Sequence, residues 1–205
     1  MMTIVDVDGD IVLMDTAADA YLCIGREHAV DNGTADGQAT GEFSAYPVAE
    51  SLAAAGLSPA QWKWADPALA RERHDVIHVE RVDAFRIMTA VPRMIVAGII
   101  TLIRLRGPVA HYHSRSPGRM PADRAQVGAL VAIFDALRPF IPKLGRCLPH
   151  SLYLRNFLGL HGIAATLVFG VRTHPFEAHC WVEHDGCVLN DTADHVAWFT
   201  PIYAC

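Results

Sequence analysis

Three residues in the last third of the sequence have the types and the order that a cysteine nucleophile requires. Cys147 is followed 32 residues later by His179, and Asp191 follows after a further 12 residues. A thiol nucleophile needs a base within hydrogen-bond reach, and that base needs a third group that fixes its tautomer. Taken together, Cys147, His179 and Asp191 therefore predict a Cys-His-Asp triad for attack on a carbonyl carbon.

The segment that carries Cys147 is predicted to be the start of a helix. Pro149 suits its first turn, apolar residues continue to position 160, and Gly162 fits the helix stop. Unpaired backbone N–H groups in the first turn stabilise a thiolate, and Arg146 adds positive charge. The alternative is that Cys147 is a small buried hydrophobic residue, the commoner role of a single cysteine.

Three short strands are predicted after this helix, at residues 164–171, 178–183 and 187–190. His179 lies at the start of the second strand, and Asp191 follows the third. A helix followed by a three-stranded meander predicts the α+β fold class. Taken singly, His179 could also be a satisfied core histidine and Asp191 a turn-forming residue.

The turn between the last two strands decides whether the triad can form. A two-residue turn at Asp185-Gly186 would place His179 and Asp191 on opposite faces of the sheet, and the triad could not form. A three-residue loop with a G1 bulge, at residues 184–186, would place them directly opposite each other on one face. We therefore predict the three-residue loop, with Gly186 at positive φ.

Several segments of this region resemble the transglutaminase-like core of lasso-peptide biosynthesis B proteins, the leader peptidases of certain bacterial ribosomally made, modified peptides. The matching segments, within about residues 144–202, are 147–152, 170–172, 175–183 and 189–191. The resemblance implies a papain-like cysteine protease core with Cys147 as nucleophile, His179 as general base and acid, and Asp191 as orienting carboxylate. Cys180 departs from the pattern, where a small residue such as Ala is expected, and strand alternation turns it away from His179.

The N-terminal part of the chain is predicted to hold a small sheet followed by helices. Apolar runs on both sides of Asp8-Gly9 indicate a β-hairpin, and Tyr21, Leu22, Cys23 and Ile24 form a possible third strand. Residues 48–57 and 59–64 are predicted as helices, and a further helical zone covers residues 82–105. Residues 26–38 are predicted as a loop or a short helix, residues 107–121 as a linker or loop, and residues 123–137 as a helix.

The hairpin also resembles the winged-helix-like peptide-recognition domain of the same pathways, on residues 8–15 and Tyr21-Leu22. That domain holds a leader peptide as an added strand. The resemblance implies leader binding at Tyr21, Leu22, Cys23 and Ile24, and the alternative is an ordinary structural hairpin. We predict a leader-recognition domain over residues 1–80, and a helical segment with the peptidase core over residues 81–205.

Composition excludes some classes of function. The 205 residues carry a formal net charge of −5, which argues against a nucleic-acid binder. Five cysteines, an odd number without a signal peptide, indicate the reducing cytoplasm. The apolar run at residues 94–103 is about half of the roughly 20 residues that a membrane span needs, so we predict a buried helix rather than a span.

Metal and nucleotide sites are not predicted. Residues 6–17 begin like a calcium loop, but Ile11 stands where the loop needs Gly and Ala17 where it needs Glu. Possible zinc ligands are His174, His179, Cys180, His184 and Cys187. They include no Cys-x-x-Cys pair, and strand alternation places neighbouring members on opposite faces, so a zinc site is not expected. The sequence has no phosphate-binding Gly-x-x-x-x-Gly-Lys loop, so we expect no cofactor, and any ATP dependence would come from a partner.

The leading hypothesis is a cytoplasmic cysteine peptidase that removes the leader from a lasso-peptide precursor. The family resemblance implies a Thr as the second-last leader residue and transfer of the freed N-terminus to an ATP-dependent lasso cyclase. With neutral His179 as the base, the rate should fall below a pKa near 6.5 if that pKa is unperturbed. Two alternatives remain: another thiol acyl transfer of the transglutaminase or amidase type, and a non-catalytic carrier of the leader peptide.

Overall fold

A computed structural model describes residues 2–18, 20–25, 52–53, 56–76, 82–107, 123–140 and 147–205. Some sequence predictions lie outside these residues: the loop or short helix at 26–38, nearly all of the loop at 107–121, and Arg146. The predicted helix at 48–57 is described as helical at Leu52 and Ala53.

The first sheet contains the predicted N-terminal hairpin. Its strands are β1 (Met2–Val7), β2 (Asp10–Asp15), β3 (Ala20–Ile24) and β4 (Trp62–Trp64), in the order β3-β2-β1-β4. The turn between β1 and β2 has both of its residues, Asp8 and Gly9, at positive φ, as a two-residue primed turn requires. The predicted third strand is confirmed, and it forms one edge of the sheet.

The prediction of a helix at residues 59–64 is wrong. A 3-10 turn covers Pro59–Gln61, and Trp62–Trp64 then pairs in parallel with β1. A capping box between Ser58 and Gln61 satisfies the short turn, and aromatic residues favour the half-buried surface of a sheet. The sheet therefore has four strands where three were predicted.

Three helices follow: α1 (Ala84–Arg104), α2 (Arg124–Leu137) and α3 (Cys147–Leu160). They confirm the helices predicted at 82–105, at 123–137 and from Cys147 onward. Helix α1 packs closely on α3, and the Tyr153 hydroxyl donates a hydrogen bond to the carbonyl oxygen of Met94 at 2.8 Å. A Cβ atom at Gly98 would lie 2.9 Å from that hydroxyl oxygen, so this approach requires glycine.

Helix α1 is not the buried helix that the sequence predicts. Its buried side chains form one narrow stripe, while large apolar residues on the opposite side, such as Ile95 and Ile99, are more than half exposed. Among the described residues, α1 alone is long and apolar enough to cross a membrane, and 22% of its most apolar window is buried. Length and composition of this kind also occur in helices of soluble proteins, so they do not by themselves indicate a span.

The second sheet has five strands in the order β5-β8-β7-β6-β9. They are β5 (His74–Asp75), β6 (Thr166–Arg172), β7 (Glu177–His184), β8 (Cys187–Val188) and β9 (Thr200–Ala204), with the short helix α4 (Ala193–Val196) before β9. The predicted meander is its centre, and the fold class is α+β as expected. Strand β5 pairs with β8, so the chain already contributes to this sheet before residue 80. The division at residue 80 stays a prediction.

Candidate active site

Cys147 is the first residue of α3 and is half-buried against the main hydrophobic core. Its pKa falls to about 4. Hydrogen bonding from the Cys180 thiol is the largest cause; hydrogen bonds from His179 and the Cys180 backbone, and the charge of His179, act in the same direction and together outweigh burial. The side chain is therefore a thiolate at neutral pH.

His179 lies between Cys147 and Asp191. Its Nε2 is 2.6 Å from Oδ2 of Asp191, which leaves Nδ1 as the ring nitrogen for the thiolate. Burial lowers the pKa of His179, but hydrogen bonds to Cys147 and Asp191 and the charges of both raise it by more, so the net shift is upward. The structure thus brings these three residues into contact with one another.

The β7–β8 turn does not have the predicted form. His184 pairs with Cys187 and Glu183 with Val188, which defines a two-residue turn. Asp185 and Gly186 have φ angles of 46° and 80°, as a type I′ turn requires. The positive φ of Gly186 is confirmed, and the three-residue loop is wrong.

Asp191 reaches His179 in spite of this register because the ladder ends before it. Strand β8 stops at Val188, and the last backbone hydrogen bond of the pair runs from Leu189 N–H to the Val182 carbonyl oxygen. The next backbone N–H of β7, that of Val182, is bonded instead to the side-chain oxygen of Asn190. Strict alternation of faces applies only along a continuous ladder, so it does not determine the position of Asp191.

Two aromatic side chains hold the His179 ring. The ring stacks on Trp181, with centroids 6.0 Å apart, and lies 5.1 Å from the ring of Phe199. Gly170 lies opposite His179 on β6, and a Cβ atom there would come within 2.9 Å of Trp181 and Phe199. Because Gly170 has no side chain, Trp181 and Phe199 can pack beside it.

His195 is a contact of Asp191 that the sequence analysis missed. Its Nδ1 is 3.0 and 2.9 Å from the two carboxylate oxygens of Asp191. Burial raises the pKa of Asp191, but hydrogen bonds from His195, the Thr192 backbone and His179 lower it by more. The available sequence signal was the i,i+4 spacing of Asp191 and His195, with Thr192 between them as a residue that caps a helix.

The sequence analysis also missed the polar contacts that join β7 to α3. Ser151 donates a hydrogen bond to the Cys180 carbonyl oxygen at 3.1 Å, and Asn190 Nδ2 donates to Ser151 Oγ at 2.8 Å. Cys180 itself faces the helix layer, as strand alternation predicts, and in that position it contacts the Cys147 thiol. The departure from the family pattern at Cys180 therefore touches the site through Cys147.

The predicted leader-binding residues lie in the other sheet, away from the triad. Tyr21, Leu22, Cys23 and Ile24 form most of edge strand β3, where Leu22 is 48% exposed. The Tyr21 ring lies 6.0 Å from the ring of Phe176, which stands directly before the strand that carries His179. The edge of the first sheet is thus in contact with the turn that leads into the site.

The zinc ligands considered in the sequence do not converge. His174 pairs with Asp10, and His184 Nδ1 with the carbonyl oxygen of Ala164. In the described residues, the group that brings three possible metal ligands together is instead His179, Asp191 and His195, whose ligand atoms lie within 4.8 Å of one another.

The arrangement supplies the groups that nucleophilic acyl substitution requires. These are a thiolate at Cys147 that can act as a nucleophile, a His179 ring that can supply a proton to a leaving group, and an Asp191 carboxylate bonded to that ring.

Comparisons with known proteins agree with this chemistry. The family model described as the transglutaminase-like superfamily matches residues 90–204, more than half of the chain. Over 45 residues the chain is 51% identical to the microcin J25-processing protein McjB of Escherichia coli. The aligned part is 22% of this chain and 22% of that protein, so it spans about a fifth of the relative. No solved structure matches the chain significantly.

Proposed function

Because this chain belongs to the transglutaminase-like superfamily, we propose that it is a cysteine peptidase that removes the leader from a lasso-peptide precursor. The observation that carries the proposal is the contact of an ionised Cys147 with His179, whose other ring nitrogen is 2.6 Å from Asp191. This arrangement supplies a nucleophile, a proton donor and an orienting carboxylate.

The reaction would proceed through an acyl-enzyme. Cys147 Sγ attacks the carbonyl carbon at the junction of leader and core, and the backbone N–H of Cys147 at the helix N-terminus stabilises the oxyanion. His179 protonates the leaving amine of the core peptide. It then takes a proton from water, which hydrolyses the thioester and releases the leader as a free acid.

The choice of substrate rests on two further points. The relative that is 51% identical over 45 residues is named for processing of microcin J25, and edge strand β3 can accept a leader as an added strand. We propose that the freed core passes to a lasso cyclase that supplies the ATP chemistry. None of the five cysteines forms a disulfide, which fits a reaction in the reducing cytoplasm.

Mass spectrometry of a synthetic lasso-peptide precursor incubated with the protein tests the activity. We expect two fragments whose masses add up to the precursor plus one water, and loss of cleavage in Cys147→Ala. Cys187→Ala is the matched control, because Cys187 is buried in the core away from the triad. A product carrying an added amine would indicate acyl transfer instead, and cleavage that persists in Cys147→Ala would refute the proposal.

Proline substitutions test the leader site. Leu22 and Cys23 are adjacent in β3, so the N–H of one points toward β2 and that of the other toward the open edge. The proline variant that keeps its circular dichroism spectrum and melting temperature should bind the leader more weakly while Cys147 stays reactive. Wild-type leader affinity in that variant would mean that the leader docks elsewhere.

A further inference from the structure

Two histidines converge on one carboxylate beside Cys147. His179 Nε2 is 2.6 Å from Asp191, and His195 Nδ1 is 2.9 Å from the same Oδ2 atom. The triad uses the first of these contacts and has no need of the second. We propose that His179, Asp191 and His195 form a binding site for a divalent zinc-class ion, and that the bound ion switches the peptidase off.

The chemistry of the donors selects this class of ion. Two imidazole nitrogens and one carboxylate oxygen, with a fourth position left for water, form a common zinc ligand set. Magnesium and calcium need several oxygen ligands, and this cluster offers one carboxylate. The ion would replace the proton that each histidine shares with Asp191, and those protons would be released to solvent.

The distances require only a small adjustment. Tetrahedral zinc with bonds of about 2.0–2.1 Å separates its ligand atoms by about 3.3 Å. The nitrogen–oxygen separations of 2.6–3.0 Å would therefore widen by about 0.3–0.7 Å, and the two ring nitrogens, within 4.8 Å, would move closer together.

The surroundings of the cluster allow entry and give support. The His195 side chain is 40% exposed, which opens the cluster to solvent on one side. Thr192 caps α4 through the His195 N–H, and Asp75 Oδ1 accepts a hydrogen bond from Ala193 N–H at 2.6 Å. These contacts hold the backbone that carries His195 in place, as outer contacts do at metal sites.

Occupation of the site would stop the proposed reaction, and this second half of the inference rests on the proposed function. A metal on Nε2 of His179 lowers the basicity of the ring, so that Nδ1 could no longer take and return a proton. The ion would also bind the carboxylate of Asp191, which would then no longer orient the imidazole of His179. Zinc would thus inhibit without contacting the thiolate.

Calorimetric titration of the full chain with zinc chloride tests the binding itself. We expect one zinc ion per chain in the wild type, an affinity lower by about tenfold or more in His195→Ala, and no binding of magnesium chloride. His174→Asn is the matched control, since it removes a histidine paired with one aspartate and Asn tolerates the left-handed backbone there. It should bind zinc like the wild type.

The location of the ion has its own readout. Cobalt chloride should give the visible absorption of a four-coordinate site in the wild type and in Cys147→Ala, and lose it in His195→Ala. Wild-type zinc affinity in His195→Ala would overturn the proposal. So would loss of binding in Cys147→Ala, because the ion would then lie on the thiolate.

Inhibition is measured on the cleavage reaction. Zinc should inhibit the wild type reversibly, with recovery on addition of a chelator, and His195→Ala should need about tenfold more zinc for the same fractional inhibition. If the chain binds zinc at this site but cleaves no precursor, the metal site stands and the proposed function fails. If it cleaves the precursor and binds no zinc, the reverse holds.

Discussion

At the scale of single residues, the order of two pKa values determines how the site can work. The pKa of Cys147 is about 4, while that of His179 is raised above its ordinary value near 6.5. Between about pH 4 and the raised pKa of His179 both side chains are charged, so a thiolate–imidazolium pair is the resting form over that range. In the proposed reaction His179 then acts first as an acid, and a neutral His179 base is not required for attack.

This order changes the expected pH dependence. Cleavage should rise as pH increases through the pKa of Cys147, near 4, and fall as His179 loses its proton at a pH above about 6.5. The measurement is kcat/KM for precursor cleavage between about pH 4 and 9, with iodoacetamide alkylation of Cys147 as a second readout. A rate that disappears below about pH 6.5, with alkylation following the same curve, would show that the thiol is not ionised in advance.

A second prediction concerns Cys180, whose thiol is the largest cause of the low pKa of Cys147. In Cys180→Ala the pKa of Cys147 should rise by roughly one to two units, since a hydrogen bond to a charged group contributes about 1.5–3 kcal/mol. Alkylation rates across pH give the value. The control is Cys187→Ala, which removes another buried thiol and should leave the pKa of Cys147 unchanged. An unchanged pKa in Cys180→Ala would show that the backbone and His179 alone hold the thiolate.

The residues that the sequence predicted and those it missed differ in what identifies them. Cys147, His179 and Asp191 have side chains whose chemistry is recognisable by type and order. His195 contributes through its place on a short helix after a bend, and Cys180 through the face of a strand against α3. Such contacts depend on tertiary placement, which spacing along the chain does not determine.

At the scale of elements, the β7–β8 hairpin shows how local turn chemistry can dominate a longer-range requirement. The Asp-Gly pair selected the two-residue type I′ turn, as hairpin statistics favour. Our three-residue loop followed from requiring that His179 and Asp191 be ladder neighbours. The two residues are not ladder neighbours, and the chain brings them into contact by ending β8 at Val188 and bonding Val182 N–H to the Asn190 side chain. Helices with clear caps, such as α2, were in contrast predictable from sequence.

A substitution in this turn tests its backbone. Gly186 has φ 80° with open space around the position of a Cβ atom, so Gly186→Ala should be destabilising through backbone strain alone, by about 1–2 kcal/mol. Gly159→Ala is the matched control, because Gly159 also has open space but lies within α3, where alanine should stabilise by about 0.5–1 kcal/mol. Urea denaturation measures both. Equal changes in the two variants would contradict the strain at Gly186.

At the scale of the whole molecule, several contacts connect the N-terminal sheet and its following segment to the sheet that carries His179. Near the site, Tyr21 contacts Phe176 and His174 pairs with Asp10. On the other side, the segment before α1 adds β5 to the second sheet. The predicted boundary at residue 80 followed from the small sheet and helices predicted for the N-terminal residues, which have the size of one compact domain. No sequence pattern indicated that residues 74–75 would pair with β8.

The buried carboxylate of Glu183 anchors that segment. Glu183 is 1% exposed and accepts hydrogen bonds from Arg71, at 2.6 Å, from Arg73 and from the Trp181 ring N–H. Burial by itself would raise the pKa of Glu183, but the bonds from Arg73, Arg71 and Trp181 lower it by more. A lowered pKa in the folded state means that the ionised carboxylate stabilises the fold at neutral pH.

The two arginines give a matched pair of variants for the final prediction. The side chain of Arg73 is 9% exposed and that of Arg71 is 47% exposed, although both bind Glu183. Arg73→Ala should lower the free energy of unfolding by about 3–5 kcal/mol at pH 7, because it leaves a buried charge partly unpaired, whereas Arg71→Ala should cost at most about 1 kcal/mol.

Since the folded pKa of Glu183 is lowered, its contribution is present above the unfolded pKa of about 4.3 and is lost as pH falls through the folded value. The difference between wild type and Arg73→Ala, measured by urea denaturation, should therefore shrink as pH is lowered from 7 toward about 3. A difference that stays constant over this range would mean that Arg73 stabilises the fold through its packing over the Trp181 ring rather than through its charge.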